Sequence, residues 1–208
     1  MSISYISQFL SYKCAGDVLN SVTPFREPVK EISESMAIFK KIRKVLIENP
    51  NKYTVFDICS GNCLTSSLIA HMFKIKHVFA IDKVRRERDG FFKIRNFTQL
   101  KLNIKKDETE LVSLIKENSP SIIVSVHPCS ELAIQTIKIY KETNADYLIM
   151  MPCCEGKLSR KYPQFLRNNL SRYDIWCLDL ALLCNGNAIT DKRCISPKNI
   201  VVTSTNLK

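Results

Sequence analysis

The chain has 208 residues, 45% hydrophobic and 25% charged, with a net charge of +11. That length fits one domain with enough core to need no disulfide staples. The charge favours a polyanionic partner such as nucleic-acid phosphate, although charge speaks to association and not to fold. No apolar run reaches the ~18 residues that cross a bilayer. No N-terminal stretch combines a basic start, an apolar centre and a small-residue cleavage site. The 9 cysteines are odd in number and form no Cys-x-x-Cys pair. A reducing, cytoplasmic compartment without membrane contact is the expectation, with buried thiols as the default for most of them.

Residues before Ser21 give no clear pattern. Ile32, Met36, Phe39, Ile42 and Leu46 recur at helical spacing, which predicts a helix from Val29 to Glu48, stopped by Asn49-Pro50. Residues 1–50 are therefore expected to be an N-terminal helical extension, and 51–208 the main domain. Within the latter, TVFDIC and HVFAID predict strands with a helix, CLTSSLIAHMFK, between them. QLKLNI predicts a third strand, and DETELVSLIKEN a helix with Asp107 as N-cap. SIIVSV, DYLIMM and KNIVVTST are further strands; SELAIQTIKIYKE is a helix capped by Ser130, and RYDIWCLDLALLC another helix. SRKYPQFLRNN reads as an irregular basic stretch.

Strands alternating with helices imply parallel β-α-β units, and near-continuous apolar strands imply a sheet covered on both faces. The expected fold class is α/β: a doubly wound, mostly parallel, Rossmann-like sheet with helices on both faces.

Such folds bind ligands beyond the carboxyl ends of the strands. The first strand leads through Asp57 into a turn, Cys59-Ser60-Gly61-Asn62-Cys63, that opens a helix. In a chain with only 5 glycines, Gly61 stands out as a place where backbone can approach a ligand. About twenty residues on, Asp82 ends the second strand and can accept both hydroxyl hydrogens of a ribose. Asn103 and Ile104, near the third strand's end, offer an amide to an adenine edge and an apolar side chain to its face. The set asks for an adenosine-containing ligand. The full G-x-G-x-x-G and G-x-x-x-x-G-K-[ST] patterns are both missing, so a phosphate-bearing dinucleotide fits less well.

DICSGNC with AID downstream resembles motifs I and II of the class I S-adenosylmethionine-dependent methyltransferases. Cys59 and Cys63 stand where two of that family's usual motif I glycines would be. The strings VSVHPCSELAIQTI, DYLIMMPCCEGKL and SPKNIVV resemble one branch. It includes the methyltransferase-like domain of the glutathione S-transferase C-terminal domain-containing protein, together with related tRNA methyltransferases. The resemblance implies a seven-stranded sheet and S-adenosyl-L-methionine as cofactor. It also implies methyl transfer to RNA, tRNA being favoured, with a small-molecule or protein acceptor still open. A chain that has lost chemistry and serves as a cofactor-binding scaffold is the reading from another class.

His127 and Cys129 follow the fourth strand, Cys153 and Cys154 the fifth; these strands should be neighbours. Four readings stay open. The residues are structural packing under the cofactor, or a pocket wall with His127 as base or hydrogen-bond donor. Alternatively, Cys129 with Cys153 or Cys154 supplies a thiolate, by resemblance to RNA 5-methylcytosine enzymes. The fourth reading is tetrahedral zinc, which the absence of paired spacing makes the least supported, so no metal is expected. Two basic segments lie near this rim. One carries Lys83, Arg85, Arg86, Arg88, Lys93 and Arg95 around Phe91 and Phe92; the other carries Lys157, Arg160, Lys161 and Arg167. Arginine interleaved with aromatics suits single-stranded nucleic acid, or else a solvated face with its phenylalanines in the core.

Overall fold

The computed structural model describes residues 3–86 and 88–206. Seven strands form one sheet in the order β3-β2-β1-β4-β5-β7-β6. They are β1 (Thr54–Ile58), β2 (His77–Asp82), β3 (Phe97–Lys101), β4 (Ser121–Val126), β5 (Tyr147–Met151), β6 (Asn187–Thr190) and β7 (Ile200–Thr205). The pairs β1–β2, β1–β4, β2–β3 and β4–β5 are parallel, while β7 runs antiparallel to both β5 and β6. The mostly parallel, doubly wound sheet expected from the strand–helix alternation is the fold observed.

Alternation within each strand divides the core in two. Val55, Ile122, Val124, Ile149 and Val201 face α1 (Tyr5–Leu10), α2 (Ala15–Val22), α3 (Pro28–Glu48) and α4 (Leu64–Met72). Phe56, Ile123, Leu148, Met150 and Val202 face α5 (Glu108–Glu117), α6 (Glu131–Thr143) and α8 (Arg172–Leu183). A sheet buried on both faces explains why its central strands are mostly apolar and why their polar residues, Thr54, Asp57, Ser121 and Ser125, are buried. The α3 stripe of Ile32, Met36, Phe39, Ile42 and Leu46 is buried in the same core as β1. No described helix is long and apolar enough to cross a membrane.

Several local expectations need correction. Asp107 and Ser130 stand at the helix N-cap positions, but neither side chain caps its helix. Asp107 instead accepts the Asn103 N–H at 2.7 Å. Ser130 adopts φ 50°, ψ −111°. β3 ends at Lys101, so Asn103 and Ile104 lie in the following loop. The stretch read as irregular contains a short helix, α7 (Gln164–Asn169), with no buried residue. β6, whose four residues are all exposed, is a strand to which the sequence pattern assigns no element.

Candidate functional site

The carboxyl ends of β1, β2 and β4 open onto one cleft of about 1000 Å³. Its wall includes Asp57, Cys59, Ser60, Gly61, Asn62, Asp82, Asn103, Ile104 and His127. The parallel register that pairs Ile58 with Ile81 brings the turn after β1 beside the end of β2. There the Ser60 N–H donates to Ile81 O at 3.0 Å and the Gly61 N–H to Asp82 Oδ2 at 3.1 Å. Asp82 Oδ1 accepts the Val84 N–H at 3.0 Å. Each carboxylate oxygen has room for a second donor, so Asp82 is oriented without being saturated.

The turn itself is tightly wound. Cys59, Gly61 and Cys63 have φ of 62°, 54° and 66°. Such angles cost a non-glycine residue on the order of 1 kcal/mol or more, and clusters of them mark built sites. A Cβ at Gly61 would meet nothing within 4 Å, so the space beside that backbone is open. Cys63 departs from expectation: the left-handed turn sends its side chain inward, where it is fully buried. Its Sγ receives Gln99 Nε2 at 3.3 Å, so it backs the turn and leaves the cleft wall to its neighbours. Burial pushes the thiols of Cys59 and Cys63 up to about 12, which keeps both neutral.

The cleft's second wall, absent from the sequence reading, is α3 and the loop before it. Glu27, Glu31 and Glu34 stand at i, i+4 and i+7 and all line the cleft. Glu31 Oε1 accepts the N–H groups of Arg26 and Glu27 at 3.1 and 2.9 Å, while its Oε2 accepts from Asn62 Nδ2. Asn62 Oδ1 in turn accepts the N–H of Leu64, the first residue of α4, at 3.1 Å. Glu34 is fully buried; its Oε2 lies 2.7 Å from His127 Nε2. The available signal was a polar trio, Ser33-Glu34-Ser35, interrupting an apolar helical stripe.

Two buried carboxylate oxygens of the cleft, Glu34 Oε1 and Asp57 Oδ1, have no hydrogen-bond partner. Burial raises the Asp57 carboxyl to about 7, against the hydrogen bonding of Ser66 and with the help of the Asp82 charge. Unsatisfied buried acceptors are costly, so both oxygens stand ready for a hydrogen-bond donor. Lys30, Lys83, Arg86 and Lys105 line the same cleft, so an acidic interior has a basic rim. Arg86 Nε donates to Gly61 O at 2.9 Å and steadies the turn. Asn103 holds the Lys105 N–H with its Oδ1 at 3.0 Å, which leaves its amide nitrogen to meet a ligand.

The cysteines after β4 and β5 gather beside this cleft without lining it. Cys129 Sγ lies 2.8 Å from Cys153 Sγ, which lies 3.4 Å from Cys154 Sγ. Burial raises the thiols of Cys129 and Cys153, and the crowding of neighbouring thiols raises Cys153 further. Of the two phenylalanines in the first basic segment, Phe91 is core and Phe92 is 87% exposed.

A family model described as a methyltransferase domain matches residues 28–161, more than half of the chain. The matched span takes in α3, the turn after β1, Asp82, Asn103 and both cysteine turns. No curated protein matches the chain.

Proposed function

The chain belongs to the methyltransferase-domain family, and on that premise we propose an S-adenosyl-L-methionine-dependent methyltransferase acting on RNA, with tRNA favoured. One observation carries the cofactor: the cleft joins the ribose acceptor Asp82 to two unpartnered buried carboxylate oxygens. S-adenosyl-L-methionine presents an adenosine at one end and an amino-acid group, ammonium with carboxylate, at the other, with a cationic sulfur between. The residues present fit it. Asp82 would accept the ribose hydroxyls, Asn103 and Ile104 would hold the adenine, and Asp57 and Glu34 would receive the ammonium end. The open space beside Gly61 would admit the chain between them.

When bound, the cofactor supplies a methyl already activated on sulfur, so the protein's part is placement and exclusion of water. The segment expected as an N-terminal extension, residues 1–50, supplies α3 as a wall of the cleft and shares the core of the cofactor-binding domain expected over 51–208, so the two would work as one unit. His127, its Nε2 held by Glu34, keeps Nδ1 as the ring nitrogen left to meet an acceptor. The raised Cys129 and Cys153 thiols support a placing role over thiolate attack, since only the thiolate is nucleophilic. The strings VSVHPCSELAIQTI and DYLIMMPCCEGKL support membership of the branch that includes the methyltransferase-like domain of the glutathione S-transferase C-terminal domain-containing protein and tRNA methyltransferases.

RNA as acceptor rests on charge and exposed aromatics. Phe92 and Phe165 are 87% and 73% exposed, each within a basic segment. Base stacking on an exposed ring flanked by arginine is a common means of holding single strands. Nine cysteines without a disulfide support a cytoplasmic setting.

The test has two stages. Calorimetric titration with S-adenosyl-L-methionine should show binding; none would favour the scaffold reading. Tritiated methyl transfer to separated RNA, protein and metabolite fractions should then label RNA. Label in protein or metabolites alone would reject the RNA acceptor and keep the cofactor.

A further inference from the structure

We propose that Cys129, Cys153 and Cys154 form a binding site for one thiophilic metal ion of the zinc group, held by three sulfurs at the joined ends of β4 and β5. The three Sγ atoms lie within 4.8 Å of one another, and this set contains no histidine or carboxylate. All-sulfur donors select soft or borderline ions over magnesium or calcium.

The site is built by the backbone. Val126 pairs with Met151 at the last rung of β4 and β5. Beyond it, the His127 N–H donates to Met151 O at 2.9 Å and the Ser130 N–H to Cys154 O at 3.4 Å, tying the two loops together. His127 and Ser130, both at positive φ, bracket Cys129 and turn it toward the β5 loop. Sequence adjacency of Cys153 and Cys154 argues against a shared ion from spacing alone. Their sulfurs nevertheless converge to 3.4 Å.

Geometry sets the adjustment needed. Sulfurs around tetrahedral zinc at ~2.3 Å stand about 3.8 Å apart. The Cys129–Cys153 edge, at 2.8 Å, would open by roughly 1 Å and the Cys153–Cys154 edge, at 3.4 Å, by roughly 0.4 Å on that geometry. Both are within the reach of side-chain rotation. The exposed Cys154 gives an ion its entry and leaves a fourth position to water. Binding proceeds by exchange: three thiol protons leave to solvent as three sulfur–metal bonds form. The proposal does not depend on methyl transfer.

The test titrates reduced, metal-stripped full chain with Cd²⁺, following sulfur-to-metal charge-transfer absorption, then adds Zn²⁺ in competition. The expected result is about one ion per chain, displaced by Zn²⁺, with the absorption of three thiolates. Cys129→Ser and Cys153→Ser should each weaken binding on the order of tenfold or more and lower the absorption by about a third. Cys14→Ser, on the distant α1–α2 connection, should change neither. Should a serine variant fail to fold, alkylation mapping of the wild-type chain decides: Zn²⁺ should protect Cys129, Cys153 and Cys154 selectively. No uptake by protein whose thiols titrate as reduced overturns the site, as does uptake unaffected by Cys153→Ser or protection of other cysteines instead. Peroxide-driven joining of Cys129 to Cys153 in the presence of excess Zn²⁺ would also overturn it, assigning the pair to redox chemistry.

Discussion

Asp57 sits at the end of β1 with one oxygen held by Ser66 and the other unpartnered. Its carboxyl ionises near 7 in the folded chain, against 3.8 ordinarily, because burial penalises the charge. The neutral form is therefore the one folding prefers. Its stabilising contribution is complete below about pH 4 and is lost as pH rises through about 7, a change of roughly 4 kcal/mol. A ligand ammonium reverses the preference, although Asp82 of β2 and Glu34 of α3 share the cleft. Affinity for S-adenosyl-L-methionine should accordingly rise between about pH 6 and about pH 8. Asp57→Asn should flatten both profiles. 5′-Methylthioadenosine, which lacks the amino-acid end, should bind without that rise; calorimetry at both pH values decides.

Among the elements, the loop from Cys154 to Pro163 shows how a basic segment is held in place without a core of its own. Asp179 of α8, fully buried, accepts the Ser159 N–H and Oγ–H at 2.6 Å each and the Tyr162 hydroxyl at 2.7 Å. Arg160 approaches it at 3.3 Å. Removing this one carboxylate leaves four donors without their acceptor. Asp179→Ala should cost about 3–5 kcal/mol, read as a lower urea midpoint, with Asp179→Asn intermediate. Sequence patterning did not expose this anchor, because an acid inside RYDIWCLDLALLC looks like a solvated position. The strands β1, β2, β4, β5 and β7 were legible as apolar runs bounded by turn residues, and β3 from its alternation. α7 and β6 were not, because neither buries a side and so neither shows a period. Gly61, Asp82 and Asn103 were legible from their spacing along successive strands. Glu34 was not: its role depends on His127, 93 residues away.

For the whole molecule, a net charge of +11 combines with a cleft whose interior is acidic and whose rim is basic. Such a distribution would draw a polyanion to the rim and a small cation to the floor. Affinity for single-stranded RNA should fall steeply with salt, as counterion release requires, while cofactor affinity should change little. Phe92→Ala should weaken RNA binding by about 1–3 kcal/mol in a fluorescence titration. Because Phe92 is 87% exposed, that change should leave the melting temperature where it was.

The fully buried face of α3 packs against β4 and β5, while its acidic face reaches both the Asn62 turn and His127. Filling the cleft and fastening this helix are then one event seen from two sides. Amide exchange along residues 28–48 would slow when ligand arrives, making the helix a built-in gauge of occupancy that needs no assay of turnover.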